Sequence, residues 1–305
     1  MTAPVIVTGA AGLIGFAVAS RLAADGRAVV GTDIVAPADD GGFDFHEADI
    51  RDAHGLYPLL KDGAAGIIHC GAVSGPMLYP QQPHTIVDIN IGGTANVLEA
   101  ARVHRLRRVV YCSSTSAYGD TPKGLNSVAE DTPLSAVDVY GATKAAGDVL
   151  ARAYSAQHGL DTVALRFSWV YGPRRRTECI LRKMICDARA DQPSRFEIGD
   201  GFTRQYVHIE DVVQATLAAW DTDRLPQHAY NVTGGSQLTF EDIADGVRAL
   251  YPNADITNAG AATAGDLLHG RFDIAAAARD LGYNPSLDIK AGAAAYAAWL
   301  ENHDF

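Results

Sequence analysis

The chain has 305 residues, 48% of them hydrophobic and 20% charged, which supports a full buried core and excludes a disordered or collagen-like polymer. Its 25 Lys and Arg against 36 Asp and Glu give a formal net charge of -11, a field that disfavours nucleic acid and anionic membranes as partners. Cys70, Cys112, Cys179 and Cys186 fit neither a CxxC zinc pattern nor a dense disulfide framework, so no metal site is expected and a reducing cytoplasm suits the composition.

The chain opens on Val5-Ile6-Val7 without a basic or signal-type apolar run, and no later run is long enough to cross a bilayer. Short β-rich runs then alternate with helical stretches. Strands are predicted at residues 5–8, 28–33, 43–48, 66–70, 108–112 and 162–167, and helices such as 94–104 and 142–158 carry Ala and Leu at three- and four-residue spacing. Such alternation predicts an α/β fold built on a doubly wound parallel sheet. Beyond Phe167 the pattern loosens into an Arg-rich loop, a helix near 180–190, Gly199-Asp200-Gly201 and shorter elements punctuated by Pro252 and Pro285. The expected division is a sheet domain over 1–168, rejoined by 205–230, and a smaller substrate lobe from 169–204 and 231–305.

Gly9-Ala10-Ala11-Gly12-Leu13-Ile14-Gly15 follows the first strand and opens a helix. That is the Rossmann-type context in which backbone amides approach a dinucleotide pyrophosphate. Asp33 ends the second strand, where a carboxylate accepts from both adenosine-ribose hydroxyls and repels a 2′-phosphate; no Arg follows it, which favours NAD over NADP. Tyr140 and Lys144 stand four residues apart on one helical face. A nearby ammonium stabilises phenolate, so the pair can remove a hydroxyl proton while Ser114, after the fifth strand, holds the substrate oxygen.

These motifs occur in the order found in the extended short-chain dehydrogenase/reductase family, also called the NAD-dependent epimerase/dehydratase family, which the chain resembles over nearly its whole length. The shared residues are Gly9 to Gly15, Asp33, Asp49-Ile50, His69-Cys70-Gly71-Ala72, Asn90 to Thr94, Ser113 to Gly119, Tyr140 with Lys144, and Val170-Tyr171-Gly172-Pro173-Arg174. The resemblance implies that Gly9, Gly12, Leu13, Ile14 and Gly15 hold the NAD pyrophosphate. It also implies that Asp49 and Ile50 flank the adenine, that Cys70, Gly71, Ala72 and Asn90 line the cofactor, and that Lys144 also bonds the nicotinamide ribose. His69 and Asn90 have an alternative reading as ties between loops. Ser114, Tyr140 and Lys144 are the implied catalytic residues, and a homodimer built on the Tyr140 helix is the implied assembly.

Sugar dehydratases and decarboxylases of this family carry carboxylates just after the catalytic serine, where this chain has Thr115-Ser116; epimerisation or net dehydrogenation remains. Arg204 matches an arginine that grips a nucleotide diphosphate. Val170 to Arg176 reads VYGPRRR, similar to VYGPRQR of UDP-glucuronate 4-epimerases, and sets Arg176 against a sugar carboxylate. Two departures oppose a nucleotide: Trp169 replaces a polar residue, and Thr263 replaces an arginine of the RPGD clamp. Ser74, in the HCGAVS run, resembles the serine of uronate dehydrogenases that contacts a free sugar acid. The leading expectation is a nucleotide-sugar 4-epimerase acting on a sugar or nucleotide-sugar substrate, with Ser74, Thr115, Ser116, Arg176 and Arg204 on the substrate. A free-sugar or sugar-acid dehydrogenase is the second reading, and a non-catalytic NAD sensor the third.

Overall fold

The computed structural model describes residues 3–75, 77–121, 127–199, 201–260 and 270–303. Seven strands form the main sheet: β1 Val5–Thr8, β2 Val29–Asp33, β3 Asp44–Glu47, β4 Gly66–His69, β5 Val109–Ser114, β6 Thr162–Phe167 and β7 Ala229–Val232. They run in the order β7-β6-β5-β4-β1-β2-β3, and every neighbouring pair is parallel. Each residue of β1, β4, β5 and β6 is buried, as helices on both faces of a parallel sheet require. At one edge, β3 reads Asp-Phe-His-Glu and stays largely exposed, its charges protecting an open strand edge.

Two cores cover the two faces. On one, the helices Leu13–Ala24 and Ile209–Asp221 pack Val18, Leu22, Val212 and Trp220 against Val5, Val7 and Val110. On the other, the helices Gly93–Val103 and Val139–His158 pack Val97, Leu98 and Ala151 against Ile6, Ile67 and Val109. Arg108, with no exposed surface, joins sheet to helix by donating to the carbonyls of Ala219, Trp220 and Thr222 at the end of the 209–221 helix. A third core, around Leu181, Met184, Ile243, Val247 and Tyr296, holds together the helices Ile180–Arg189, Phe240–Arg248 and Ile289–Leu300.

The expected division needs one revision. β7 extends to Val232, and Ala276, Ala277, Leu281 and Tyr283 of the following Ala275–Leu281 helix and its exit pack into the first sheet core. Part of the stretch assigned to the smaller lobe thus sits on the sheet. Sheet order reverses between β1 and β4, and that switch point opens a crevice at the strands' carboxyl ends.

Candidate active site

Each glycine of the first loop meets a different demand. Gly9 leaves β1 at φ +69°, and a Cβ there would lie 2.7 Å from the Cys70 carbonyl carbon and the Gly71 nitrogen, so it permits both the left-handed turn and the close approach of β4. A Cβ on Gly15 would meet the Gly9 oxygen at 2.1 Å, which fixes the closeness of helix to strand. Gly12 differs: it is exposed, and its Cβ would find only the Gly9 oxygen, at 3.2 Å. Internal packing barely explains the absence of a side chain at Gly12; room for an outside group against the backbone does. No side chain caps the 13–24 helix and no acid occupies its first turn, so its positive end suits a diphosphate.

Asp33, at the end of β2, accepts from the amides of Ala11 at 3.0 Å and Ile34 at 2.8 Å. Its carboxylate is therefore aimed by the glycine loop and retains acceptor capacity. Asp49 is held by Arg51, which forks onto its carboxylate at 2.6 to 3.1 Å and holds its carboxyl below the usual range. Ile50 is buried and packs under Gly93.

Asn90 has the contacts of the second of its two readings, a tie between loops. It is 1% exposed, lies in the π-helical turn Asp88–Gly92, and spends its amide on Val73 N, Val73 O and Thr143 Oγ1 at 2.8 to 3.1 Å. With those bonds made, Asn90 braces the loop of Gly71, Ala72 and Ser74 against the Tyr140 helix. His69 has the same character, bridging Thr8 and Thr94 at 2.7 and 3.0 Å. Burial, with Lys144 nearby, pushes its pKa down to about 3 and keeps it neutral.

The candidate acid–base group is assembled by one helix and two strand ends. Asp138 caps the 139–158 helix on Gly141 N at 2.8 Å. Gly141, whose Cβ would strike the Ser116 oxygen at 2.4 Å, lets that helix lie directly on the end of β5. Tyr140 is thereby placed near Ser114 and Ser74. Burial raises the phenol above its usual range; the nearby Ser114 and Ser74 hydroxyls oppose that rise, the Asp138 charge adds to it and the Arg175 charge opposes it. Lys144 Nζ donates to the Cys112 carbonyl at 2.8 Å and lies 5.9 Å from the Tyr140 ring centroid; burial lowers its pKa. Thr115 is buried and Ser116 half-buried, its amide donating to Ser114 Oγ at 3.1 Å.

On the lobe side the three arginines separate. Arg176, the one favoured from the sequence, is exposed, whereas Arg174 and Arg175 are each 8% exposed. Arg174 pairs with Asp39 and lies over the Phe16 ring at 3.7 Å. Arg175 donates to the Val170 carbonyl, stacks on Trp169 at 4.8 Å, and has its charge within reach of Tyr140. Arg204 covers Trp169 at 4.1 Å, so the indole lies against both guanidinium groups. Asp200 and the Thr263 to Asp266 segment lie outside the described residues.

The sequence matches the NAD dependent epimerase/dehydratase family over residues 5–233. The chain belongs to that family. It is similar to a UDP-glucose 4-epimerase of Mycolicibacterium smegmatis, 30% identical over 97% of this chain and 98% of the relative. A UDP-glucuronate 4-epimerase of Thermodesulfobacterium geofontis is 31% identical over 70% of each chain. Among solved structures, a UDP-glucuronic acid 4-epimerase from Bacillus cereus, in complex with UDP-glucuronic acid and NAD, superposes with a TM-score of 0.84 at 27% identity, covering 98% of this chain and 99% of that one.

This NAD-dependent family membership fits the open face at Gly12 and the aimed carboxylate of Asp33. Two features of this member escape sequence reasoning. Arg175, not Arg176, is buried after a turn with positive φ at Gly172 (+126°) and Arg174 (+71°), a backbone feature that no side-chain pattern reports. The placement of Ser74 near Tyr140 crosses 66 residues, and the loop carrying Ser74 is braced by Asn90.

Proposed function

We propose that the chain is an NAD-dependent 4-epimerase of a nucleotide sugar, acting through Tyr140. The observation that carries this reading is the buried Tyr140 phenol set near Ser114 and Ser74, on a helix whose Lys144 is anchored to the end of β5, beside the strand ends that meet the glycine loop. Gly12, Gly15 and the 13–24 helix end would hold the NAD diphosphate, Asp33 its adenosine ribose, and Lys144 the nicotinamide ribose. When bound, NAD supplies a hydride acceptor and returns the hydride to the sugar. Tyr140 takes the proton of the reacting hydroxyl, Ser114 holds that oxygen, and Tyr140 hands the proton back once the sugar has turned its other face. Ser74, Thr115 and Ser116 line the approach, and Arg204 with Arg175 supplies positive charge for an anionic substrate. The names of the relatives support a uridine diphosphate sugar.

A second reading, oxidation of a free sugar acid with release of NADH, is favoured by Ser74 at Tyr140 and by the indole of Trp169 filling space between the arginines. Among the described residues no helix is long and apolar enough to cross a membrane; a cytoplasmic homodimer joined along the 139–158 helix, where Val149 is 62% exposed, belongs to this proposal. The deciding experiment incubates the protein with NAD and either UDP-glucuronate, UDP-glucose or free glucuronate, following absorbance at the NADH band and product stereochemistry. Epimer without NADH supports the first reading, NADH from the free acid the second, and inertness toward all three removes both.

A further inference from the structure

Two thiols frame the site without a part in the chemistry above. Cys70 follows β4 and Cys112 lies in β5; the parallel register that pairs His69 with Tyr111 makes them the next cross-strand neighbours, with Sγ atoms 3.3 Å apart. Both are free cysteines, Cys112 buried and Cys70 half-buried. Each is tied to a different part of the site through its backbone. The Cys70 carbonyl and the Gly71 amide crowd Gly9, and the Cys112 carbonyl receives the Lys144 ammonium.

We propose that Cys70 and Cys112 are an oxidisable dithiol that a hydroperoxide closes into a disulfide, and that this closure and NAD binding oppose one another. The thiolate of Cys70, the more accessible of the two, attacks one peroxide oxygen. The O–O bond breaks, leaving a sulfenic acid and, after proton uptake, one water (an alcohol from an organic peroxide). The Cys112 sulfur then attacks the Cys70 sulfur, the S–O bond breaks, a second water leaves and the S–S bond forms. The two thiols lose two electrons and the peroxide gains them.

Neighbouring strands lie about 4.8 Å apart, within the roughly 4.4–6.8 Å Cα separation that a disulfide accepts. The sulfurs must nevertheless close to about 2.05 Å. That contraction falls on the two strand ends that set the Gly9 contact and the Lys144 anchor. Burial and the adjacent thiol keep Cys70 protonated, so reaction with peroxide is slow at neutral pH. By linkage, whatever the disulfide costs NAD binding, bound NAD must cost disulfide formation. The coupling rests on the reading of the glycine loop and Tyr140 as the working site, whereas the dithiol chemistry does not.

The test treats the full chain with hydrogen peroxide, blocks remaining thiols, digests without reduction and reads the peptides by mass spectrometry, with and without saturating NAD. The expected result is a Cys70–Cys112 linked pair lighter by two hydrogens, formed several-fold more slowly with NAD. NAD affinity of the oxidised chain should be about tenfold weaker and recover on adding a dithiol reductant. Oxidation of Cys179 or Cys186 alone, or separate overoxidised Cys70 and Cys112, overturns the dithiol. A linked pair with unchanged NAD affinity overturns the coupling. Failure of the reduced chain to bind NAD at all sinks the functional reading while the linked peptide remains measurable.

Discussion

Lys144 and Cys112 are joined by a 2.8 Å hydrogen bond from ammonium to carbonyl, which ties the helix of the candidate base to the strand that carries its partner Ser114. That bond uses one of the three ammonium donors, and the nearby Ser114 and Ser74 hydroxyls are placed to stabilise the Tyr140 phenolate. If Tyr140 is the base, activity should rise with pH through its pKa, which burial raises and Ser114 lowers. Ser114→Ala removes a donor to the charged form, so the rising limb of the kcat/KM profile should move to higher pH. Tyr140→Phe should cut turnover on the order of 10² or more with NAD still bound. An unshifted limb in the first variant, or near-normal turnover in the second, would reject the assignment.

The glycine loop permits a sharper separation of folding from binding. Gly15→Ala sets a methyl 2.1 Å from the Gly9 oxygen and should destabilise the fold by about 1–3 kcal/mol through forced backbone shifts. Gly12→Ala meets only a 3.2 Å contact and should leave stability within about 0.5 kcal/mol while weakening NAD. Paired thermal melts and NAD titrations check this; equal effects of the two variants on both quantities would refute the division of roles. Asp33→Ala should in the same titrations erode the preference for NAD over NADP.

His69 gives a stability expectation with a definite sign. Its folded pKa, pushed down to about 3 by burial, lies below the ordinary value near 6.5. Between those values the unfolded chain binds the extra proton, so stability falls as pH drops through that window, by up to about 1.4 kcal/mol per pH unit. His208, pushed down to about 4 by burial, adds to the same slope. Denaturant midpoints of the parent and of His69→Gln across pH 4 to 7 test it, and the variant should show the shallower decline.

How far the sequence could be read depended on whether a feature is local. The central strands are continuous apolar runs, and GxxGxxG and YxxxK each lie within one turn or helix, so their neighbours along the chain determine them. The two readings of Asn90 stay open in the sequence because its partners, Val73 and Thr143, are 17 and 53 residues away, and nothing local distinguishes a brace from a ligand contact. The place of the Ala275–Leu281 helix is not legible in the sequence, because a short alanine run packs equally well on sheet or helix. Only its contact with β7 decides.

The arginines after Pro173 carry the substrate expectation, and burial reverses their order of interest. Arg175 is 8% exposed, lies against Trp169 and has its charge within reach of Tyr140, while Arg176 is exposed. A guanidinium in a water-poor cleft gains about 1.5–3 kcal/mol from a charged acceptor, equivalent to roughly 10- to 100-fold in kcat/KM. Arg175→Lys keeps the charge but loses the planar fork. It should therefore lower kcat/KM for a uronate substrate by about tenfold or more and change that of the matched neutral sugar far less. Arg176→Ala, losing an exposed side chain, should affect the two substrates alike. Melting temperatures of both variants separate a folding defect from a recognition defect, since Arg175 also donates to the Val170 carbonyl. If instead Arg176→Ala selectively loses the acid and Arg175→Lys does not, the carboxylate is held from the outer side of the turn and the buried arginine serves only to brace Trp169.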